Sequence, residues 1–164
     1  EGGCLDSIGG IKNIYIGNFA STLKDTITLT GEEITGNSSA LEVFKFELRG
    51  TNNIDESNTK DINAGTSIFE GSGTITLKKQ DKTTQGQMML LSKGRPHVVA
   101  EGYDGSYRLF GLENGVDVAV NTASGADLNE FNGYTLTLTS KESNLAYFVD
   151  SSIIGTGGSG FDVQ

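Results

Sequence analysis

Residues 135–139 read TLTLT, and that alternation decides the class of fold. At period two the leucines share one side of an extended chain and the β-branched threonines the other, the mark of a strand with one buried face. The pattern recurs as TITLK at 74–78 and as TITLT at 26–30. Spacing between the three runs is irregular and the intervening segments differ, so this is a shared strand pattern and not a solenoid repeat.

Two more strands lie upstream, at 11–17 (IKNIYIG) and 41–48 (LEVFKFEL). In the second, Glu42, Phe44, Phe46 and Leu48 make up the more apolar face. Residues 50–64 (GTNNIDESNTKDINA) are polar almost throughout and read as a loop at the tip of a long hairpin spanning 41–79. A loop of that length in a compact domain is functional or is ordered by a partner. One short helix follows over 85–93. Asp81 is its N-cap, Thr84, Met88 and Leu91 lie on one face, Gly94 takes a left-handed closing position, and Pro96 bars continuation.

Asp104-Gly105 predicts a two-residue hairpin turn that sets Glu101 opposite Arg108 and Val99 opposite Phe110. Beyond it come a strand at 116–120, a polar loop at 121–132, a strand from Tyr134 and another at 145–149. The glycine-rich stretch GTGGSG opens a flexible C-terminal tail, about 155–164, and residues 1–10 form an N-terminal arm.

The chain has 164 residues, 35% of them hydrophobic, with 23 glycines and one proline. That is enough for one β-rich domain, 1–164, whose turns do not rely on proline. A net charge of −9 and a pI of about 4.5 argue against a groove that tracks phosphate. Cys4 is the one cysteine, so no intrachain disulfide forms, and it reads as a small apolar residue rather than a lipidation site. No run approaches the ~18 apolar residues that span a membrane. Glu1 in place of Met fits either a numbering that omits an earlier start or a processed terminus, a removed signal segment included.

The residues that usually carry catalysis are sparse. His97, the one histidine, reads as the opening of a strand, and no Gly-x-Ser-x-Gly elbow accompanies it. One Cys and one His cannot furnish a zinc site. Asp127, Asn129, Glu130 and Asn132 share a polar loop without calcium-loop spacing. The glycine-rich tail lacks a phosphate-binding pattern. Paired carboxylates for glycoside hydrolysis stay open among 21 acids, but no tryptophan is present to line a sugar cleft. Tyr103, Tyr107, Tyr134 and Tyr147 read as strand residues with one wet end that could also stack on a sugar. The expectation is a non-enzymatic protein without a cofactor.

A glycine-led opening strand (Gly9-Gly10 into IKNIYIGN), a long polar-tipped hairpin followed at once by one helix, and a closing β region with RLFGLENG and NGYTLTLTSKE together resemble virion structural proteins of tailed bacteriophages, most nearly the tail tube proteins. That resemblance implies an antiparallel β-sandwich or barrel with a flanking helix, located in the virion. Six copies would form a ring, and rings would stack into a tube through which DNA passes without specific binding. The partners are then copies of the chain and other virion proteins, with no membrane.

Under that resemblance the contact residues are Leu5 and Ile8 of the arm, Asn52, Ile54, Asp55, Glu56, Lys60, Asp61 and Ile62 of the polar loop, and Phe161 of the tail. A capsid decoration protein shares the profile. A secreted carbohydrate-binding or adhesin-like sandwich is a third reading, to which the sequon-like Asn37-Ser38-Ser39 lends support. A glycosidase ranks last.

Overall fold

The computed structural model describes residues 10–48, 52–78, 82–126 and 133–164. In chain order the elements are β1 (Ile11–Gly17), α1 (Leu23–Thr26), β2 (Ile27–Thr30), β3 (Glu33–Asn37), β4 (Leu41–Glu47), β5 (Asn53–Asp61), β6 (Thr66–Lys78), α2 (Lys82–Lys93), β7 (His97–Gly102), β8 (Tyr107–Phe110), β9 (Val116–Ala123), β10 (Gly133–Glu142), β11 (Tyr147–Val149), β12 (Ile154–Gly155) and β13 (Phe161–Val163). The fold is mainly β, as the alternating runs predict. An antiparallel four-stranded sheet runs β5-β6-β10-β9, and a curled mixed sheet runs β12-β13-β4-β1-β7-β8-β11-β3-β2.

Strands β10 and β6 pair without a bulge, and their TLTLT and TITLK runs overlap in that ladder, Thr137 against Thr74 and Leu136 against Ile75. Their apolar sides, with Val116 and Val118 of β9, pack on Ile14 and Ile16 of β1, Val98 and Ala100 of β7 and Phe110 of β8. This first core joins the two sheets as a sandwich. The opposite pleat of β1, β7 and β8 points Tyr15, Val99 and Leu109 into a second core with Ile34, Val43, Val149, Ile153 and Phe161. A 3-10 turn (Ser151–Ile153) carries the chain from β11 on one flank of the curled sheet to β12 on the other. Asn37, ending β3, donates its Nδ2–H to the Gly160 carbonyl at 3.0 Å across the same closure.

Several local expectations are corrected. The polar stretch expected to be a loop is β5, hydrogen-bonded to β6 over its whole length, so the hairpin is β5–β6 and β4 belongs to the other sheet. Residues 49–51 and Asp81 lie outside the described residues. In β4 both faces are used: Val43 is buried in the second core and Phe46 packs on the first, while Phe44 is 43% exposed. Of the three alternating runs, TITLT fails as a half-buried strand. Thr26 ends α1, and Leu29 is 44% exposed because β2 lies at the edge of its sheet. Two α-helices form rather than one. The second starts at Lys82, and Gly94 stays out of the left-handed region, its N–H reaching Leu91 O at 3.3 Å.

The Asp104-Gly105 hairpin is one residue out of the expected register. Gly102 N–H donates to Ser106 O at 2.9 Å, enclosing three residues, and Glu101 pairs with Tyr107 while Val98 pairs with Phe110. Asp104 Oδ1 accepts from both the N–H and the hydroxyl of Ser106, and Gly105 sits at φ 85°, which favours a three-residue turn over the two-residue one. The slip moves Arg108 away from Glu101 to Glu56, at 3.6 Å, with its guanidinium 4.5 Å above the Phe148 ring.

The expected flexible tail is also corrected: β13 lies parallel to β4, with Phe161 opposite Leu41, and Phe161 is fully buried. Because Phe161 fills the second core of its own chain, Phe161→Ala is expected to lower the unfolding free energy by about 3–5 kcal/mol in a urea titration. A tail residue would change it by no more than about 0.5 kcal/mol.

Candidate functional site

The four-stranded sheet has one face on the first core and one in solvent. Register alone sets the rows of the solvent face: Asn53, Thr74, Thr137 and Ala119 across one line of the sheet, and Asp55, Ser72, Thr139 and Asp117 across the next. These side chains are exposed or half-buried, small and neutral or acidic. Glu70 and Lys141 oppose each other beyond them. The surface offers hydroxyls and amides with little for a phosphate chain to grip.

From this sheet the β5–β6 hairpin projects. Pairing of β6 with β10 begins at Phe69, so residues 59–68 extend past that ladder, and residues 57–68 are exposed without a break. The tip is well formed: Asp61 Oδ1 accepts from the N–H groups of Asn63 and Ala64 at 3.0 and 3.1 Å, and Gly65 takes φ 66°. Ile62 at the tip is 95% exposed and Ile68 is also exposed. An isolated two-stranded ribbon is marginally stable in water, so a projecting one with bare isoleucines is a surface suited to a partner.

The residues singled out from sequence separate into two groups. Asp55, Lys60, Asp61 and Ile62 lie on the projecting hairpin or its solvent-facing root. Asn52, Ile54, Glu56 and Phe161 face inward instead. Asn52 is buried and its Oδ1 accepts from Thr76 N–H at 2.7 Å, Ile54 packs on the first core, and Glu56 accepts from Ala146 N–H at 3.0 Å beside Arg108. Leu5 and Ile8 lie outside the described residues, as do Asp127, Asn129, Glu130 and Asn132. Sequence reasoning missed Phe44, Met89 and Leu90, which are exposed beside one another's elements at a second surface. A strand and helix each too apolar for one covered face was the available signal.

The alternative chemistries can be placed as well. Tyr134 is buried in the first core, Tyr107 and Tyr147 pack on the second, and Tyr103 is exposed, so the four tyrosines do not share a stacking platform. Glu101 accepts from Asn13 Nδ2 at 2.7 Å, Tyr15 OH at 3.2 Å and Tyr107 OH at 3.1 Å. Burial and then the Glu101 charge push the Tyr15 phenol well up; burial and the Glu101 hydrogen bond raise Tyr107. Both therefore stay protonated donors.

Glu56, Glu113 and Glu142 line one pocket of about 150 Å³. Glu142 accepts from the N–H groups of Glu113 and Asn114, and burial raises its pKa. It pins the turn that Gly111 and Gly115 form at positive φ. Asn37 is buried with its amide engaged, so the sequon is not displayed for modification. Among the described residues no group of three His, Cys, Asp or Glu is placed to hold a metal ion, and no helix is long and apolar enough to cross a membrane.

His97 is an internal strut. It is buried, its Nδ1–H donates to Gly111 O at 2.7 Å, and its Nε2 accepts from Ala20 N–H at 3.1 Å. Burial lowers its pKa by more than the contacts with Gly111 and Ala20 raise it. As pH falls through about 6.5 the unfolded chain takes up a proton that the folded chain refuses. The stability contributed by neutral His97 is thus complete above that pH and declines below it. Thermal or urea melts from pH 7 to 5.5 are expected to show a loss of at most about 1.4 kcal/mol per pH unit. The slope should flatten in His97→Gln, whose stability is lower at pH 7.

Comparison of the chain with protein families, with curated proteins and with solved structures found no match.

Proposed function

We propose that this chain is a non-enzymatic virion structural subunit that assembles with copies of itself, on the plan of a phage tail tube: rings of six, stacked so that DNA passes through the lumen. The observation that carries the reading is the projecting β5–β6 hairpin, exposed on both faces with Ile62 at its end. Such an element gains its apolar burial only when another surface covers it.

Two further features support it. β5 is an edge of the four-stranded sheet with no strand beyond it among the described residues, so a neighbouring copy can reach that edge. Asp55, Lys60 and Asp61 along β5 guard that edge against indiscriminate pairing, which suits a partner of defined geometry. The threonine-, serine- and asparagine-rich solvent face with Asp55 and Asp117 suits a lumen wall. Together with the net charge of −9 it repels the phosphate backbone instead of holding it.

Assembly is tested by negative-stain electron microscopy with mass measured in parallel. Hollow tubes or stacked rings are expected, and a persistent monomer over a wide concentration range would overturn the reading. Replacing residues 59–68 by Asn-Gly keeps the Asn58–Phe69 pair and closes it with a two-residue turn. The shortened chain is expected to melt within a few degrees of the parent and to stay monomeric.

A further inference from the structure

Two openings in the surface differ in what lines them. The wider, a groove of about 330 Å³, runs between α2 and the β1–β4 pair and is walled mainly by Phe44, Phe46, Leu90 and Leu91. The pocket beside Glu142, of about 150 Å³, has walls of two kinds, and that mixture specifies an occupant. Sites for drug-sized ligands run from about 300 Å³ upward, so this smaller pocket suits one side chain or a molecule of similar bulk.

Its apolar lining comes from Ile27 and Leu29 of β2, Leu112 of the β8–β9 turn and Leu145 of the β10–β11 turn. Leu29 and Leu145 are exposed, so a guest here covers aliphatic surface that otherwise faces water. The polar lining is acidic on balance, with Glu56, Glu113 and Glu142 against Lys24. Glu56 is already served by Arg108 at 3.6 Å and by the Ala146 N–H. Glu113 and Glu142 remain, and among the described residues neither forms an ion pair, with Lys24 or with any other cation. Glu142 is half-buried, and the charge that acts on it is the like charge of Glu113. Each of its oxygens accepts one backbone N–H and keeps a second lone pair. An aliphatic wall thus stands beside a carboxylate pair that no cation neutralises.

We infer that this pocket binds an organic cation on a short alkyl stem, the ammonium group of a small amine or of a lysine side chain, with the cation on Glu142 and Glu113 and the stem along Leu29, Leu112 and Leu145. A metal ion does not meet this description, because the aliphatic wall would strip its hydration and, among the described residues, no three acids are placed to ligate it. A neutral alkyl group would bury Glu142 further without a countercharge. The pocket lies within one chain, so its occupancy is independent of self-assembly.

Titration of the full isotope-labelled chain at neutral pH, followed by the amide resonances of Glu113, Asn114 and Ala146, reads occupancy directly. Pentylammonium is expected to give saturable shifts at these amides and to bind about tenfold or more tightly than pentanol, its neutral isostere. Ethylammonium, three methylenes shorter, is expected to bind about tenfold more weakly than pentylammonium, short of the roughly sixtyfold that full burial of those methylenes would give. Glu142→Gln keeps an oxygen for the Asn114 N–H and removes the charge, so it should weaken pentylammonium about tenfold and leave pentanol unchanged. Glu113→Gln, at an exposed position, should act in the same direction and carries the test if Glu142→Gln fails to fold.

N-acetyl-lysine N-methylamide separates the two sources of the ammonium group. Binding as tight as that of pentylammonium supports a lysine side chain presented by another protein, and binding about tenfold weaker supports a free amine. The assignment is overturned by the absence of saturable shifts at the three amides, by equal affinity for pentanol and pentylammonium, or by unchanged pentylammonium affinity in the glutamine variants.

Discussion

Strands β1, β7 and β8 have apolar cores on both faces, and the rest of the molecule is arranged around that constraint. Their pleat sends Ile14, Ile16, Val98, Ala100 and Phe110 toward the four-stranded sheet, and Tyr15, Val99 and Leu109 into the curl of the nine-stranded one. A strand buried on both sides cannot slip by one residue without exchanging its two sets of side chains between cores of different shape. Polar atoms caught there need partners too. Glu101 serves Asn13, Tyr15 and Tyr107, and His97 bridges Ala20 and Gly111. These buried groups hold the register of the centre.

With the centre fixed in this way, the four-stranded sheet needs to bury only one face. Its other face lies in solvent and carries threonine, serine, asparagine and aspartate in rows set by the ladder. The hairpin extends this sheet beyond the support of β10, so among the described residues its outer half is exposed and has no strand beside it. The groove beside α2 has the converse character, a partly built core with one wall missing. The exposed hairpin, the free β5 edge and the polar face belong to the four-stranded sheet, while the groove lies between α2 and strands β1 and β4 of the other sheet.

The sequence by itself determined the class of fold and the place of the turn at Asp104-Gly105, because period-two alternation and a turn-forming Asp-Gly are local properties of the chain. It also marked 50–64 as the segment to watch, and the exposed tip of the hairpin lies there. Tertiary structure decided what alternation cannot encode, namely what covers each face. Polar residues along β5 looked like a loop, since its outer part, from Ser57 to Asp61, has two wet faces and carries no hydrophobic period. In β4 both faces are covered to different degrees, so neither could be named the inner one. TITLT at the sheet edge and TLTLT at the sheet centre have the same pattern and opposite burial. Phe161 follows a glycine-rich stretch that reads as slack chain. It is buried because the curl of the larger sheet leaves a gap beside β4 that a parallel strand fills, and only the closed structure contains that gap.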